Sequence, residues 1–196
     1  MTTGSKAIAL TFDDGPDPDT TPQLLKLLAK YDVHATFCVI GTNVADHPAL
    51  IRQIVAGGHS LCNHSWHHDE HLGKLPADKI KKDLKRTNDA IHKAAPDAKI
   101  GYFRAPAGNF TTPMVRIAAD LGMTSIYWRV DPRDWSHPAG ETDAQHVQRV
   151  VKAVQKQTRK GSIILSHDGG QPDSIIAYRE LLPWLDHRFT LTGKPQ

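Results

Sequence analysis

The fold class is indicated most clearly by residues 7–40, AIALTFDDGPDPDTTPQLLKLLAKYDVHATFCVI. This stretch begins with an apolar run at 7–12 and passes through a turn-rich segment into leucines at helical spacing. It ends in a second apolar run at 35–40. Short apolar runs separated by an amphipathic helix are typical of a strand-helix-strand unit with parallel strands. Thr21 as the N-cap and Pro22 at the first helical position fit the predicted helix start.

The same alternation of strands and helices continues along the chain. Further strands are predicted at 59–63, 102–103, 124–128, 162–165 and 189–191, and further helices at 48–56, 76–95, 113–121, 144–159 and 175–185. Repeated units of this kind indicate an α/β fold with a parallel sheet covered by helices, either a barrel or an open doubly wound sheet. Since no linker, repeat or low-complexity tract divides the chain, residues 1–196 are expected to form one domain.

Composition and charge limit the classes of function. The formal net charge of +3 is modest, and the basic residues are spread over the chain, so nucleic-acid binding is not indicated. No apolar run is long enough for a membrane span. No secretory leader is visible, but residues 1–4 are typical of an expression start on a trimmed chain, so location stays open. Cys38 and Cys62 lie in neighbouring predicted strands, where a disulfide and two buried free thiols are both compatible with the pattern.

Chemically active side chains follow the predicted strands at their C-terminal ends. These side chains are Asp13-Asp14, His64, Arg104, Asp131 and His167. In parallel α/β folds this edge of the sheet is where catalytic groups gather, because short loops from several strands meet there. The sequence therefore predicts a functional site at this edge.

A metal site is one interpretation of this set. His64 and His68 are four residues apart, so their rings would share a face if the segment turns helically. One carboxylate of Asp13-Asp14 would complete three ligands and leave a position for water, as in catalytic zinc sites, although iron and cobalt also suit such ligands. Taken alone, a His-rich loop is more often solvated, and the Asp-Gly-Pro run at 14–16 is common in ordinary turns.

Five segments in this order resemble the motifs of the polysaccharide deacetylases, carbohydrate esterase family 4, also called the NodB-homology group. The segments are 11–16, 64–68, 104–108, 131–135 and 165–167. The resemblance implies a distorted (β/α) barrel of about seven parallel strands. It also implies a metal-dependent hydrolase that removes acetyl groups from N-acetylglucosamine units in chitin, chito-oligosaccharide or peptidoglycan. Acetylxylan O-deacetylation and a catalytically inactive carbohydrate-binding relative are the alternatives.

The resemblance also implies roles for the residues around the metal. Asp14, His64 and His68 would hold one divalent ion, with Zn²⁺ expected and Co²⁺ or Ni²⁺ as alternatives. Asp13 would be the general base, held in place by Arg104. Because the family spacing selects position 68, the neighbouring His67 is not expected to bind the ion.

The remaining implied roles concern the leaving group and the walls of the site. His167 would be the general acid, and Asp131 would orient it. Trp135 and Leu165 would line a pocket for the acetyl methyl group. At Ala107 the family often has tyrosine, and the backbone N–H of this position would help to bind the oxyanion. Since the donor is backbone, alanine can supply it, but loss of the aromatic ring should reshape the groove.

The expected partner is the carbohydrate substrate itself. The resemblance implies a secreted or cell-envelope location, and a monomer is expected.

Overall fold

The computed structural model describes residues 1–195, which form seven strands and seven α-helices. The strands are β1 (Ile8–Asp13), β2 (Thr36–Val39), β3 (Ser60–Asn63), β4 (Ile100–Phe103), β5 (Thr124–Ser125), β6 (Ile163–His167) and β7 (Leu191–Thr192). The helices are α1 (Thr21–Lys30), α2 (Gly41–Asp46), α3 (Pro48–Ala56), α4 (Ala77–Ala94), α5 (Thr112–Asp120), α6 (Asp143–Gln157) and α7 (Pro172–Arg188). Short 3₁₀ turns occupy Leu72–Lys74 and Pro106–Gly108.

The strands pair in parallel in the order β5-β4-β3-β2-β1-β6, and β7 pairs with the first residues of β1. The chain after β5 bends toward the other end of this sheet. There the backbone N–H of Val130 donates to the carbonyl of Ile163 at 3.1 Å, and the N–H of Leu165 donates to the carbonyl of Val130 at 2.9 Å. These bonds join the two ends of the sheet. The predicted distorted (β/α) barrel of about seven parallel strands is therefore confirmed.

The apolar patterns that predicted the helices are the buried faces of those helices. Leu24 and Leu28 of α1 are fully buried, and so are Ile80, Leu84 and Ile91 of α4. In α6 the buried valines are Val147, Val150, Val151 and Val154. Because β1 is buried at all six positions, it forms the centre of the core. No helix within residues 1–195 is both long and apolar enough to cross a membrane.

Three local features of the structure were not expected, and the bounds of several predicted elements shift by up to three residues. Helix α2 was not predicted, because its sequence GTNVAD has only one large apolar residue, Val44, to bury. The N-cap of α1 is Thr20 instead of Thr21, and the Thr20 hydroxyl bonds to Asp17 Oδ1 rather than to the helix. Regular strand β5 ends at Ser125, not at 128, since the following segment leaves β4 to reach β6.

The two cysteines are buried free thiols. Cys38 of β2 and Cys62 of β3 are opposite each other in the parallel register, and neither is accessible to solvent. They pack with Ile126 in a small apolar cluster. Of the two alternatives left open by the sequence, the structure has the pair of buried thiols.

Candidate active site

A cleft of about 470 Å³ opens at the C-terminal edge of the sheet. It is lined by Asp13, Asp14, His64, His68, Glu70, Ala107, Gly108, Trp128, Asp131, Trp135, Leu165 and His167. Nine of the ten residues predicted to form a site are in this set. The tenth, Arg104, is fully buried and contacts Asp13 from below the cleft. The structure therefore brings all ten residues together.

Asp13 is the last residue of β1, and its carboxylate is almost fully buried. Arg104 Nη1 donates to Asp13 Oδ1 at 2.6 Å and to the hydroxyl of Thr11 at 2.9 Å. Burial alone would raise the pKa of Asp13, but the positive charges of Arg104 and His167 hold that pKa below its usual value. The Asp13 carboxylate is thus ionised at neutral pH and fixed at one oxygen.

Asp14 begins the loop after β1 in a left-handed conformation, with φ at 73°. Aspartate is among the non-glycine residues that adopt this region more readily. The turn separates the two adjacent carboxylates, so the side chain of Asp13 is 4% exposed and that of Asp14 is 31% exposed. Asp14 Oδ1 lies 3.5 Å from Nε2 of both His64 and His68. The two aspartates therefore face different partners.

The interpretation of His64 and His68 as an i, i+4 pair required a helical turn. The structure has an irregular loop at 64–68 instead. Ser65 and His68 both have positive φ, at 68° and 56°. The hydroxyl of Ser65 accepts the backbone N–H of His68 at 3.0 Å and closes the loop. This fold brings the rings of His64 and His68 to 4.9 Å between centroids. His67 is exposed and does not belong to the Asp14-His64-His68 cluster.

Asp14, His64 and His68 form a set of metal-ligand donors, called the donor set below, that fits a divalent cation. Within residues 1–195, Asp14 Oδ1 is buried without a hydrogen-bond partner. His64 Nδ1 donates to the carbonyl of Arg104 at 2.8 Å, which leaves Nε2 as the free nitrogen on the side of Asp14. Burial lowers the pKa of His64, so the ring is neutral, as a metal ligand must be. A ligating histidine commonly has its other nitrogen bound to a carbonyl or carboxylate in this way.

The prediction that Asp131 orients His167 is wrong. The carboxylate that contacts His167 belongs to Asp134, whose Oδ1 lies 2.8 Å from His167 Nδ1 and whose Oδ2 accepts the backbone N–H of His167 at 2.8 Å. The hydroxyl of Ser174 donates to the same Oδ2 at 2.6 Å. Asp131 instead accepts the backbone N–H of Arg133 at 2.8 Å and so stabilises the turn that precedes Asp134.

Asp134 determines the charge of His167. Burial alone would lower the pKa of His167, but the hydrogen bond and the negative charge of Asp134 outweigh it and raise the pKa to about 9. His167 is therefore a cation at neutral pH, with Nδ1 held by Asp134. Its Nε2 is the nitrogen that remains to donate a proton into the cleft.

The walls of the cleft combine an apolar base with an exposed aromatic rim. Leu165 is 3% exposed, whereas Trp135 is 48% exposed. Trp128 stacks on Tyr127 at a centroid distance of 4.0 Å. Ala107 is exposed and lies in a left-handed turn with φ at 51°. The side chain at this position is a methyl group and supplies no aromatic wall to the cleft.

Three side chains at the site were missed in the sequence: Asp134 behind the cleft, and Glu70 and Trp128 in its lining. Asp134 lies inside the motif at 131–135, and its position directly before Trp135 was the available signal. Glu70 follows the His-rich loop by two residues, and Trp128 lies near the end of the predicted fifth strand. Neither of the latter two had a distinctive sequence signal, because charged loop residues and apolar strand residues are common.

Comparisons with known proteins agree with this geometry. A family model described as polysaccharide deacetylase matches residues 1–126. A chitooligosaccharide deacetylase of Sinorhizobium fredii is 38% identical over 99% of this chain and 93% of its own length. A peptidoglycan-N-acetylglucosamine deacetylase of Bacillus cereus is 35% identical over 92% of this chain and 82% of its own.

Among solved structures, the peptidoglycan deacetylase PdaC of Bacillus subtilis superposes with a TM-score of 0.82 at 32% identity. That alignment covers 97% of this chain and 88% of the other. The family model covers more than half of the chain, and both relatives exceed 30% identity over nearly all of it. The chain therefore belongs to the polysaccharide deacetylase family.

Proposed function

We propose that this protein hydrolyses the acetamide group of N-acetylglucosamine units in chitin, chito-oligosaccharide or peptidoglycan, releasing acetate and leaving a free amine. The observation that carries the proposal is the composition of one cleft. It contains an ionised carboxylate, Asp13, a three-residue donor set on one side of it, and a cationic histidine, His167. Amide hydrolysis needs a base for the attacking water, stabilisation of the carbonyl oxygen and an acid for the leaving nitrogen.

Asp13 is suited to be the general base. Its Oδ1 is held by Arg104 at 2.6 Å, whereas its Oδ2 lies 3.6 Å from His64 Nε2, beside the donor set. An oxygen in this position can accept the proton of a water that attacks the acetamide carbon. Because the lowered pKa keeps Asp13 ionised, the base is available throughout the neutral range.

Asp14, His64 and His68 would hold one divalent ion, and we propose Zn²⁺, with Co²⁺ or Ni²⁺ as substitutes. The buried and unpartnered Asp14 Oδ1 and the fixed ring of His64 support this assignment. When bound, such an ion lowers the pKa of water from about 16 toward about 7 and stabilises negative charge on a carbonyl oxygen.

His167 is suited to be the general acid. Its ring is cationic at neutral pH, and Asp134 fixes its orientation through two hydrogen bonds. The proton on Nε2 can pass to the leaving amine nitrogen when the carbon–nitrogen bond breaks. An amine needs this proton because an amide anion is a very poor leaving group.

The remaining cleft residues would position the substrate. The backbone N–H of Ala107 is proposed to bind the oxyanion, and the buried Leu165 to contact the acetyl methyl group. Trp135 is exposed at the rim, where an indole ring can stack on a sugar ring. Asp131 is proposed to stabilise the turn that precedes Asp134, since its carboxylate accepts a backbone N–H of that turn.

Acetylxylan O-deacetylation is the second candidate, because the same groups can hydrolyse an ester. The names of the two relatives, a chitooligosaccharide deacetylase and a peptidoglycan-N-acetylglucosamine deacetylase, favour the N-acetyl substrate. We also propose a monomeric enzyme that acts outside the cell or in the cell envelope, where these polymers occur. An inactive relative is disfavoured by the complete set of acid, base and donor residues.

His167→Ala tests the assignment of the acid. This variant should lose N-deacetylation of a chito-oligosaccharide by about 10²–10⁴-fold, the usual contribution of a general acid. Hydrolysis of an activated acetate ester should fall much less, because its leaving group does not need a proton. The two rates should be measured on the same zinc-loaded preparation, with His92→Ala as a control at an exposed position. Equal losses on both substrates would exclude the role.

A further inference from the structure

A second cluster of histidines and carboxylates lies behind the cleft, outside the Asp14-His64-His68 set. It consists of His137 and Glu141 in the loop before α6, and His146 in the first turns of α6. One ligand atom of each of these three residues lies within 4.8 Å of the other two, as in the Asp14-His64-His68 set. Asp173, at the start of α7, contacts both rings of the cluster.

His146 is the central residue of the cluster. It is 1% exposed, and within residues 1–195 its Nε2 has no hydrogen-bond partner. Its Nδ1 lies 3.0 Å from Asp173 Oδ2. A buried imidazole nitrogen without a partner is costly, whereas a neutral imidazole whose other nitrogen donates to a carboxylate is the usual state of a metal ligand. Asp173 therefore leaves Nε2 of His146 free to bind an ion.

The other two donors are already held in place. The rings of His137 and His146 are 4.5 Å apart between centroids in an edge-to-face arrangement. Arg149 binds both oxygens of Glu141, at 2.7 and 3.1 Å. A carboxylate oxygen has a second lone pair, so Glu141 can bind an ion while it accepts from Arg149. His137 is 41% exposed, which gives an ion access from solvent.

We propose that His137, Glu141 and His146 bind a second divalent transition-metal ion, of which Zn²⁺ is the expected member. Two imidazoles and a carboxylate are ligands that Zn²⁺ accepts, and solvent can fill the fourth position. Asp173 is the residue that orients His146 toward the ion.

This second site would join three elements behind the catalytic cleft. The loop that contains His137 also contains Asp134 and Trp135, and Asp173 precedes Ser174, which donates to Asp134. An ion shared by the loop and α6 would fix the segment that holds Asp134 against His167. Binding should therefore raise the melting temperature of the protein, independently of any reaction in the cleft.

The test is Zn²⁺ binding to the whole chain, measured by isothermal titration calorimetry and by metal analysis after dialysis. The His64→Ala variant removes a ligand from the cleft, so it should retain one ion at the second site. Adding His137→Ala to that variant should abolish the remaining binding and its rise in melting temperature. His92→Ala is the matched control, because His92 is exposed on α4 and belongs to neither cluster. Asp173→Asn should weaken binding at the second site by about 10–100-fold, the usual effect of losing such an orienting partner.

The inference is overturned if the His64→Ala variant binds no ion, or if adding His137→Ala leaves its affinity unchanged. Metal binding by His137, Glu141 and His146 does not depend on the proposed function of the cleft. If the cleft donor set binds no ion, the parent and the His64→Ala variant should bind one ion equally, and His137→Ala should remove it.

Discussion

Asp13 and Asp14 are adjacent in the chain, but their carboxylates have different surroundings. Asp13 is buried against Arg104, whereas Asp14 is partly exposed beside the two histidines. The left-handed conformation of Asp14 separates them. One carboxylate is therefore placed to exchange a proton, and the other is placed to bind a cation.

The amide variants of these two residues should fail in different ways. Asp13→Asn cannot accept a proton, so turnover should fall by about 10²–10⁴-fold while metal content is kept. It also leaves Arg104 buried without its ion-pair partner, which should lower the free energy of unfolding by about 3–5 kcal/mol. Asp14→Asn should lower metal affinity, and added metal should recover part of the activity.

Metal content and activity should be measured together for both variants, with folding verified by circular dichroism. A metal-free Asp13→Asn and a fully metallated Asp14→Asn would reverse the assignment.

The pair Asp134 and His167 gives a second prediction for single residues. Asp134→Asn removes the charge that raises the pKa of His167 to about 9, so burial should bring this pKa down. The imidazole would then lose its proton near neutral pH, and N-deacetylation should decline at a lower pH than in the parent. NMR titration of His167 measures the pKa directly. Asp131→Asn is the matched control in the same motif, because it removes a charge but keeps an oxygen that can accept from the backbone N–H of Arg133. An equal pKa shift in both variants would contradict the assignment.

At the scale of elements, the neighbouring strands β2 and β3 are joined at their starts by a histidine that must stay neutral. This residue is His59, directly before β3. The backbone N–H of Ala35 donates to His59 Nδ1 at 3.2 Å, and this nitrogen can accept only when unprotonated. Burial, followed by the neighbouring His34, lowers the pKa of His59 from 6.5 to about 4. Between these two pH values, His59 is protonated in the unfolded chain but neutral in the folded protein.

This difference predicts acid destabilisation. As pH falls from about 6.5 to about 4, the unfolded chain binds a proton at His59 and the folded protein does not, so the free energy of unfolding decreases. In His59→Gln this contribution is absent, and urea unfolding should show a shallower pH dependence over the same range. His92→Gln, at an exposed position, should keep the slope of the parent. A slope unchanged in His59→Gln would refute the role of His59.

Much of the fold was predictable because its elements are built from local patterns. The run at 7–12 became β1 with a shift of one residue, and the leucines after Pro22 became the buried face of α1. These patterns are reliable because burial of an apolar face decides both the element and its orientation. Helix α2 was not predictable in this way, since its short polar sequence is fixed by packing against α4 and the neighbouring loops.

The site was predictable as a set of positions, but not in every contact. Asp131 and Asp134 are both acids within one motif, and sequence spacing does not distinguish them. The left-handed turn at Arg133, stabilised by Asp131, presents Asp134 and not Asp131 to His167. Similarly, His137 and His146 were only two of 12 histidines. The eight residues of loop and helix between them give no sign that their rings meet. Such pairings depend on how distant segments fold together.

At the scale of the whole molecule, we propose that one cleft removes acetyl groups from N-acetylated sugars. The most direct test incubates the zinc-loaded protein in parallel with an N-acetylated chito-oligosaccharide, peptidoglycan fragments and acetylxylan. Mass spectrometry then follows the loss of acetyl groups, and enzymatic assay follows the release of acetate. We predict that at least one N-acetylglucosamine substrate loses acetyl groups, with acetate and free amine formed in equal amounts, and that a chelator stops the reaction. Release of acetate from acetylxylan, with every N-acetylglucosamine substrate left intact, would show that the protein is not an N-acetylglucosamine deacetylase.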